Sequence, residues 1–294
     1  MALVTLEELL ARYGRSRGAL ASWLEVFSHG ASQVNASSFR FLLEEGFSLG
    51  PLDIRLHPAL ELTDEQLRSI YQALRRMSEG EPLAYVLGHE VFLGRCFLVD
   101  KRVLIPRPET EELVLLLKEA YGQKASSLRV LDCGTGSGCI GISVALEMPK
   151  AKVTALDKSQ GALDVAAANA ARLSAEVSFL QGDLSRRELY GEVGKFDVIV
   201  SNPPYIPAKD VEGDLFLAYE PSMALVAQED GLFFYGMFAR FGGQMLLPGG
   251  AIFLEIGHDQ GEAVKKLFQA EGWCQVLVRK DMFGKDRFVT ARLS

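Results

Sequence analysis

Positive charge is in short supply in this 294-residue chain: 31 Lys and Arg stand against 38 Asp and Glu, a formal net charge of -7. A protein that wraps nucleic acid carries the opposite excess, because phosphate contacts dominate that affinity. Direct nucleic-acid binding is therefore not expected. Cysteine is scarce as well. Cys96, Cys133, Cys139 and Cys274 lie far apart with no CxxC pair, which argues against a disulfide framework and a zinc site; reduced, buried thiols are expected. His29, His57, His89 and His258 are scattered, and no metal centre is expected. No apolar run approaches the roughly 18 residues of a membrane span. The N-terminus also lacks the basic stretch and apolar run of a secretory signal. A cytoplasmic location without membrane contact is the expectation.

What is present reads as an ordinary globular protein, with 48% hydrophobic and 23% charged residues, long enough for two domains. Thr5 with Glu8, and Thr63 with Gln66, form capping boxes ahead of the stripes Leu6-Leu9-Leu10-Tyr13 and Leu67-Ile70-Tyr71-Leu74. Ser37 to Glu45 is a shorter helical stretch. A small all-α domain over residues 1–80 is predicted. From Leu83 to Leu104 the pattern alternates and breaks at Gly94, which predicts a β-hairpin linker over 81–104. Two prolines in Ile105-Pro106-Arg107-Pro108 interrupt regular structure, and Pro108-Glu109-Thr110-Glu111-Glu112 opens a helix with acids in its first turn.

Over 105–294 short apolar runs alternate with helical stretches. The predicted strands are Arg129–Cys133, Lys152–Leu156, Val177–Gln181, Phe196–Ser201, Gly250–Ile256, Gln275–Lys280 and Arg287–Leu293. The turn Asp281 to Asp286 is too short for a crossover helix, so the last two strands pair antiparallel. An α/β doubly wound sheet of seven strands follows, its last strand antiparallel.

The first of these strands runs into Gly134-Thr135-Gly136-Ser137-Gly138. In such sheets ligands sit at the carboxyl ends of strands, near the switch in strand order, and glycine lets backbone approach them closely. Gly136, Gly138 and Gly141 also fit the dinucleotide fingerprint GxGxxG, so a nicotinamide-dependent oxidoreductase remains a rival. Asp157, ending the second strand, suits ribose hydroxyls under either reading. Asp183 after the third strand suits an adenine amino group, with Leu184 over the ring; that pattern belongs to S-adenosylmethionine enzymes more than to dehydrogenases.

The fourth strand ends in Asn202-Pro203-Pro204-Tyr205. Two prolines stiffen the turn and carry no N–H, which frees carbonyls to accept bonds from a substrate. An amide nitrogen is a poor nucleophile because its lone pair is delocalised. The Asn202 side-chain oxygen and the Pro203 carbonyl can each take one N–H of an NH₂ group, which aims the nitrogen at a sulfonium methyl. Orientation of this kind lowers a barrier by several kcal/mol. Tyr205 would enclose the planar group, and no strong base is needed. Exocyclic amines of RNA or DNA bases are planar too, so a nucleic-acid methyltransferase is a second rival.

These segments, together with Glu81-Pro82-Leu83-Ala84-Tyr85-Val86-Leu87-Gly88, Leu104 to Glu111, Tyr219-Glu220-Pro221 and Arg279-Lys280-Asp281, resemble the peptide-chain-release-factor glutamine methyltransferases (PrmC/HemK type). The similarity runs from about Glu81 to the C-terminus and is loose around Phe27 to Leu62. The resemblance implies a class I S-adenosylmethionine methyltransferase domain behind a helical substrate-recognition domain. It implies methylation of the side-chain nitrogen of the glutamine in the Gly-Gly-Gln loop of class 1 release factors, in translation termination. By position, Gly134, Thr135, Gly136, Ser137, Gly138, Asp157, Asp183, Leu184 and Asn202 would bind the cofactor, and Asn202, Pro203, Pro204 and Tyr205 the glutamine, with Asn202, Pro203 and Tyr205 catalytic. A glutamine of a ribosomal protein is the near alternative, and a non-catalytic cofactor-binding adaptor a remote one. Gly242-Gly243-Gln244 is read as coincidence. Arg107 and Glu109 are candidates to orient the cofactor tail or the interdomain linker, a structural interface role being expected ahead of a catalytic one, and Phe233, Phe234 and Phe238 read as the buried face of a helix.

Overall fold

The computed structural model describes residues 4–28, 34–122, 128–211 and 217–293. Contacts divide the chain into two compact units after Gly88. The first is helical: α1 (Leu6–Tyr13), α2 (Leu20–Ser28), α3 (Ala36–Phe47), α4 (Pro51–Leu56), α5 (Asp64–Ser78) and α6 (Leu83–Leu87). Its starts follow local chemistry. Thr5 and Thr63 each accept the N–H three residues on, while Glu8 and Gln66 reach back to the cap N–H, each such cap contributing about 1 kcal/mol. Leu67, Ile70, Leu74 and Met77 of α5 fall at helical spacing and are all buried, against Leu9, Leu20, Trp23 and Leu42. His29 lies outside the described residues.

The predicted hairpin over 81–104 is shorter than the apolar alternation suggested. Leu83–Leu87 is helix α6, ended by Gly88 at φ 78°, and the strands are β1 (His89–Phe92) and β2 (Arg95–Leu98). Leu93 and Gly94 turn the chain at φ 48° and 70°, the two-residue geometry whose twist matches paired strands. The Leu93 N–H donates to Glu111 at 2.7 Å.

The second unit continues with α7 (Pro108–Tyr121), β3 (Arg129–Cys133), α8 (Cys139–Glu147), β4 (Lys152–Asp157), α9 (Gln160–Leu173), β5 (Val177–Gln181), α10 (Leu189–Glu192), β6 (Phe196–Ser201), β7 (Ile206–Pro207), α11 (Ala208–Val211), α12 (Ser222–Leu225), β8 (Val226–Ala227), α13 (Phe233–Phe241), β9 (Leu246–Glu255), α14 (Gly261–Ala270), β10 (Cys274–Lys280) and β11 (Asp286–Arg292). Seven strands form one sheet in the order β10-β11-β9-β6-β3-β4-β5. β3 pairs parallel with β4 and β6, β6 parallel with β9, and β11 antiparallel with β9 and β10.

The central strands are apolar on both faces, which marks a sheet covered on both sides. Val198 and Val200 point into one core with α7 and α8, and Ile199 points into the other with α13 and α14. Each is fully buried, contributing roughly 2 kcal/mol by removal from water. The order of strands reverses direction between β3 and β6, so a crevice opens beyond their carboxyl ends. Among the described residues no helix is long and apolar enough to cross a membrane.

Candidate active site

The turn after β3 is tied to the neighbouring strand. Gly134 and Thr135 donate to the Leu156 carbonyl at 2.8 and 3.0 Å. The Thr135 hydroxyl and the Gly141 N–H both donate to Asp132, at 2.6 and 2.9 Å. Asn169, fully buried, donates to the Ser137 carbonyl at 2.8 Å and braces the turn from α9. Gly134 and Gly136 adopt φ 72° and 55°, and a methyl added at either would meet open space. These bare positions face a cavity of about 250 Å³. A short route for a ligand to the backbone is therefore left open.

Asp157, Asp183, Leu184 and Asn202 line the same cavity, with Leu156, Ala162, Val226 and Phe234 as apolar wall. Asp157 accepts the Gly136 N–H and the Ser159 N–H, both at 2.9 Å; burial, the largest influence, pushes its carboxyl above the usual range. Asp183 behaves oppositely. Burial works against its charge, but bonds from Ser185 and the Lys158 ammonium at 2.9 Å hold its carboxyl below the usual range. Of the five expected turn residues, Thr135, Ser137 and Gly138 do not line the cavity. The two hydroxyl residues are buried, and a methyl on Gly138 would strike Ile142.

A second cavity of about 160 Å³ is lined by Leu104, Arg107, Asn202, Pro203, Tyr205, Ile206, Ala224 and Leu225. Asn202 is on the wall of both cavities, with Leu104 and Ala224. Its Nδ2 donates to the Thr110 hydroxyl at 3.2 Å. Among the described residues no donor reaches its Oδ1 or the Pro203 carbonyl. Tyr205 is pushed up to about 12, mainly by burial, so at neutral pH its phenol is protonated and cannot serve as a base.

Several site residues escaped sequence reasoning. Thr110 is buried at the start of α7 and donates to Glu255 Oε2 at 2.7 Å. Glu255, at the end of β9, is raised by burial to about 7. Gln260 accepts the Gly257 N–H at 2.9 Å and donates to the Tyr205 carbonyl at 3.1 Å. Gly231, at φ 86°, lies against that carbonyl so closely that a methyl would collide with it. A buried carboxylate ending an apolar strand, in Phe253-Leu254-Glu255-Ile256, was the one visible signal.

Arg107 lines the smaller cavity, and its Nη2 donates to both Glu220 oxygens at 2.8 and 2.7 Å, which ties the start of α7 to the segment after the proline turn. Glu220's side chain is 3% exposed. Another expectation is corrected. Of the three phenylalanines assigned to a buried face, only Phe238 is buried; Phe233 and Phe234 are half-exposed, and Phe234 borders the larger cavity. Gly242 to Met245 is a 3-10 turn between α13 and β9, away from both cavities.

Residues 110–219 match the family model "Methyltransferase small domain", and residues 19–88 match "PrmC N-terminal domain". The second match carries the likeness well ahead of Glu81, where the sequence motifs had placed its start. Over 239 residues the chain is 44% identical to the release factor glutamine methyltransferase of Bacillus cereus, covering 79% of this chain and 84% of that one. The corresponding Bacillus subtilis protein is 40% identical over 266 residues, covering 88% and 91%. A solved release factor-specific protein-(glutamine-N5) methyltransferase from Alicyclobacillus acidocaldarius is 34% identical, covering 67% of this chain and 98% of that one, at a TM-score of 0.42.

Proposed function

The chain belongs to the family of release factor glutamine methyltransferases, and from that membership we propose that it methylates the side-chain nitrogen of a glutamine in a class 1 release factor, at the Gly-Gly-Gln loop. One observation carries the reading. Asn202 stands on the shared wall of two cavities, with its amide oxygen and the Pro203 carbonyl free of donors among the described residues. A primary amide offers two N–H groups, and this turn offers two acceptors.

S-adenosylmethionine, bound in the larger cavity, supplies an electrophilic methyl on a sulfonium. The residues there fit it: bare backbone at Gly134 and Gly136, carboxylates at Asp157 and Asp183, and an apolar wall at Leu184 and Phe234 for a flat ring. Asp157 would accept from the ribose hydroxyls and Asp183 from the adenine amino group. Thr135, Ser137 and Gly138 would act through the shape of the turn. In the smaller cavity Asn202 and Pro203 would hold the two N–H groups, while Pro204, which lines the larger cavity and not the smaller, would keep the turn stiff. Tyr205 would cover the amide plane and exclude water. Holding both hydrogens turns the nitrogen lone pair out of conjugation and toward the methyl, so geometry takes the place of a base. A neutral Tyr205, and the lack of any histidine or carboxylate among the described residues that line the smaller cavity, agree with that.

The helical unit that ends at Gly88 would select the protein partner. A release-factor substrate sets the work in the cytoplasm, and the acidic balance of the chain disfavours RNA as the acceptor. The test is transfer of labelled methyl from S-adenosylmethionine to a folded release factor, beside the same factor with its loop glutamine changed to alanine. Label confined to the glutamine form supports the reading. Label on both forms, or on RNA in place of protein, would overturn the assigned substrate.

A further inference from the structure

We propose that Thr110 and Glu255 form a positioning relay that sets which end of the Asn202 amide faces the substrate. The inference rests on Asn202 as the residue that orients the glutamine. An asparagine amide presents an acceptor at one end and a donor at the other, and the two ends have nearly the same shape. Packing alone does not choose between them. Were Nδ2 to face the smaller cavity, the substrate NH₂ would meet another donor and its lone pair would be captured.

The choice is made behind Asn202. A threonine hydroxyl has a single hydrogen. Thr110 commits it to Glu255 Oε2 at 2.7 Å, so toward Asn202 it has only a lone pair to offer, and Asn202 answers with Nδ2 at 3.2 Å. Oδ1 is thereby turned away from Thr110. Both supporting groups are almost fully buried, Thr110 2% and Glu255 1% exposed, so water does not compete for the bonds.

The relay has a direction, and the charge on Glu255 sets it. An ionised Glu255 can only accept, which produces the arrangement just described. A protonated Glu255 can donate to Thr110; Thr110 then donates to Asn202, which must offer Oδ1 and swing Nδ2 into the cavity. The surroundings place this exchange within reach of ordinary pH, since burial raises Glu255 to about 7. The groups facing it are Arg107 and Glu109 beside Thr110, Arg287 on β11, Tyr235 on α13, Tyr205 after β6 and Cys139 at the start of α8. Arg287 is itself paired with Asp281 at 3.2 Å. Tyr235 donates to the Glu255 main-chain carbonyl at 2.9 Å and leaves the carboxylate to Thr110. The three phenol and thiol groups are neutral at neutral pH, each raised mainly by burial.

The experiment is a kcat profile from about pH 6 to about pH 8.5 at saturating S-adenosylmethionine and release factor, with cofactor affinity measured in parallel. The wild-type rate is expected to fall on the acid side through the titration of Glu255. Thr110→Val keeps the side-chain shape and loses the hydroxyl; its kcat is expected to drop about 10- to 100-fold, without an acid limb and with cofactor affinity unchanged. Thr110→Ser restores both rate and limb. Glu255→Gln has a profile flat over the same range. Wild-type kcat in Thr110→Val, or an acid limb that survives in Glu255→Gln, would overturn the relay. Asn202→Ala separates the two levels of the argument: an active Asn202→Ala enzyme defeats the site reading itself, whereas an inactive one beside a normal Thr110→Val defeats the relay alone.

Discussion

Replacing Asn202 by alanine should separate catalysis from binding, because the residue touches both cavities but supports neither structurally. It is half-buried, and among the described residues its side chain is held by a single hydrogen bond, to Thr110 at 3.2 Å. Losing a neutral bond of that kind costs about 1 kcal/mol, a few degrees of melting temperature at most for a domain this size. The chemical cost is larger. As the nitrogen begins to bond to the methyl its N–H groups become more acidic, so the acceptor matters more in the transition state than in the ground state. Removing one such preorganised partner costs enzymes about 100- to 1000-fold in turnover, roughly 3–4 kcal/mol. Single-turnover methyl transfer measured beside a cofactor titration checks this: kcat should fall by that factor while S-adenosylmethionine affinity stays within about threefold. A variant retaining more than about a fifth of wild-type turnover, or one that fails through lost cofactor affinity, would refute the orientation argument.

Three further outcomes are expected. Tyr205→Phe should keep turnover within about threefold, because a phenol raised to about 12 supplies shape and no base, whereas Tyr205→Ala should lose it by about 100-fold as water enters; steady-state kinetics with release factor distinguish the two. Asp157→Ala should weaken S-adenosylmethionine by about 10- to 100-fold, the size of one or two bonds to a charged acceptor, with kcat at saturating cofactor little changed; isothermal titration reads it directly. Asp132 is raised by burial to about 7, against an ordinary value of 3.8. Its neutral form is the one the fold favours, so its contribution to stability is full below about pH 4 and is lost as pH rises through about 7. Glu255 acts in the same sense. Melting temperature should therefore decline between about pH 4 and 7 and level off above that, and Asp132→Asn should remove part of the decline; an identical slope in the variant would contradict the burial argument.

The sheet was legible in the sequence because its strands are buried on both faces and therefore read as unbroken apolar runs such as Val198-Ile199-Val200. The hairpin was harder. Tyr85, Val86 and Leu87 alternate no better with strand than with helix, and packing against the helical unit's own core made them α6. The proline turn was found because proline and asparagine state their geometry locally. Thr110, Gln260 and Gly231 were invisible because nothing local marks them, and Glu255 showed only as a carboxylate ending an apolar strand. Glu255 lies 145 positions from Thr110, and Gln260 lies 55 from Tyr205. Their roles come into being only when β9 is laid beside β6. The partner of Arg107 was hidden for the same reason, Glu220 lying 113 positions away.

The two cavities make opposed demands on the backbone, and the sheet reconciles them. On the proposed reading, the cofactor side needs glycine, so that a ligand can approach main chain at Gly134 and Gly136, and the substrate side needs proline, so that two acceptors stay where they are. These turns leave adjacent strands: Cys133 is in register with Ser201, and the Ser201 hydroxyl donates to the Cys133 carbonyl at 2.6 Å, one residue before each turn begins. Adjacent strands are held about 4.8 Å apart by the ladder itself. On the proposed reading, the spacing between the cofactor turn and the proline turn is inherited from backbone hydrogen bonding between β3 and β6. Side chains then have only to set direction, a task the proposal gives to Asn202 and the groups behind it, with no histidine or carboxylate among the described residues that line the smaller cavity.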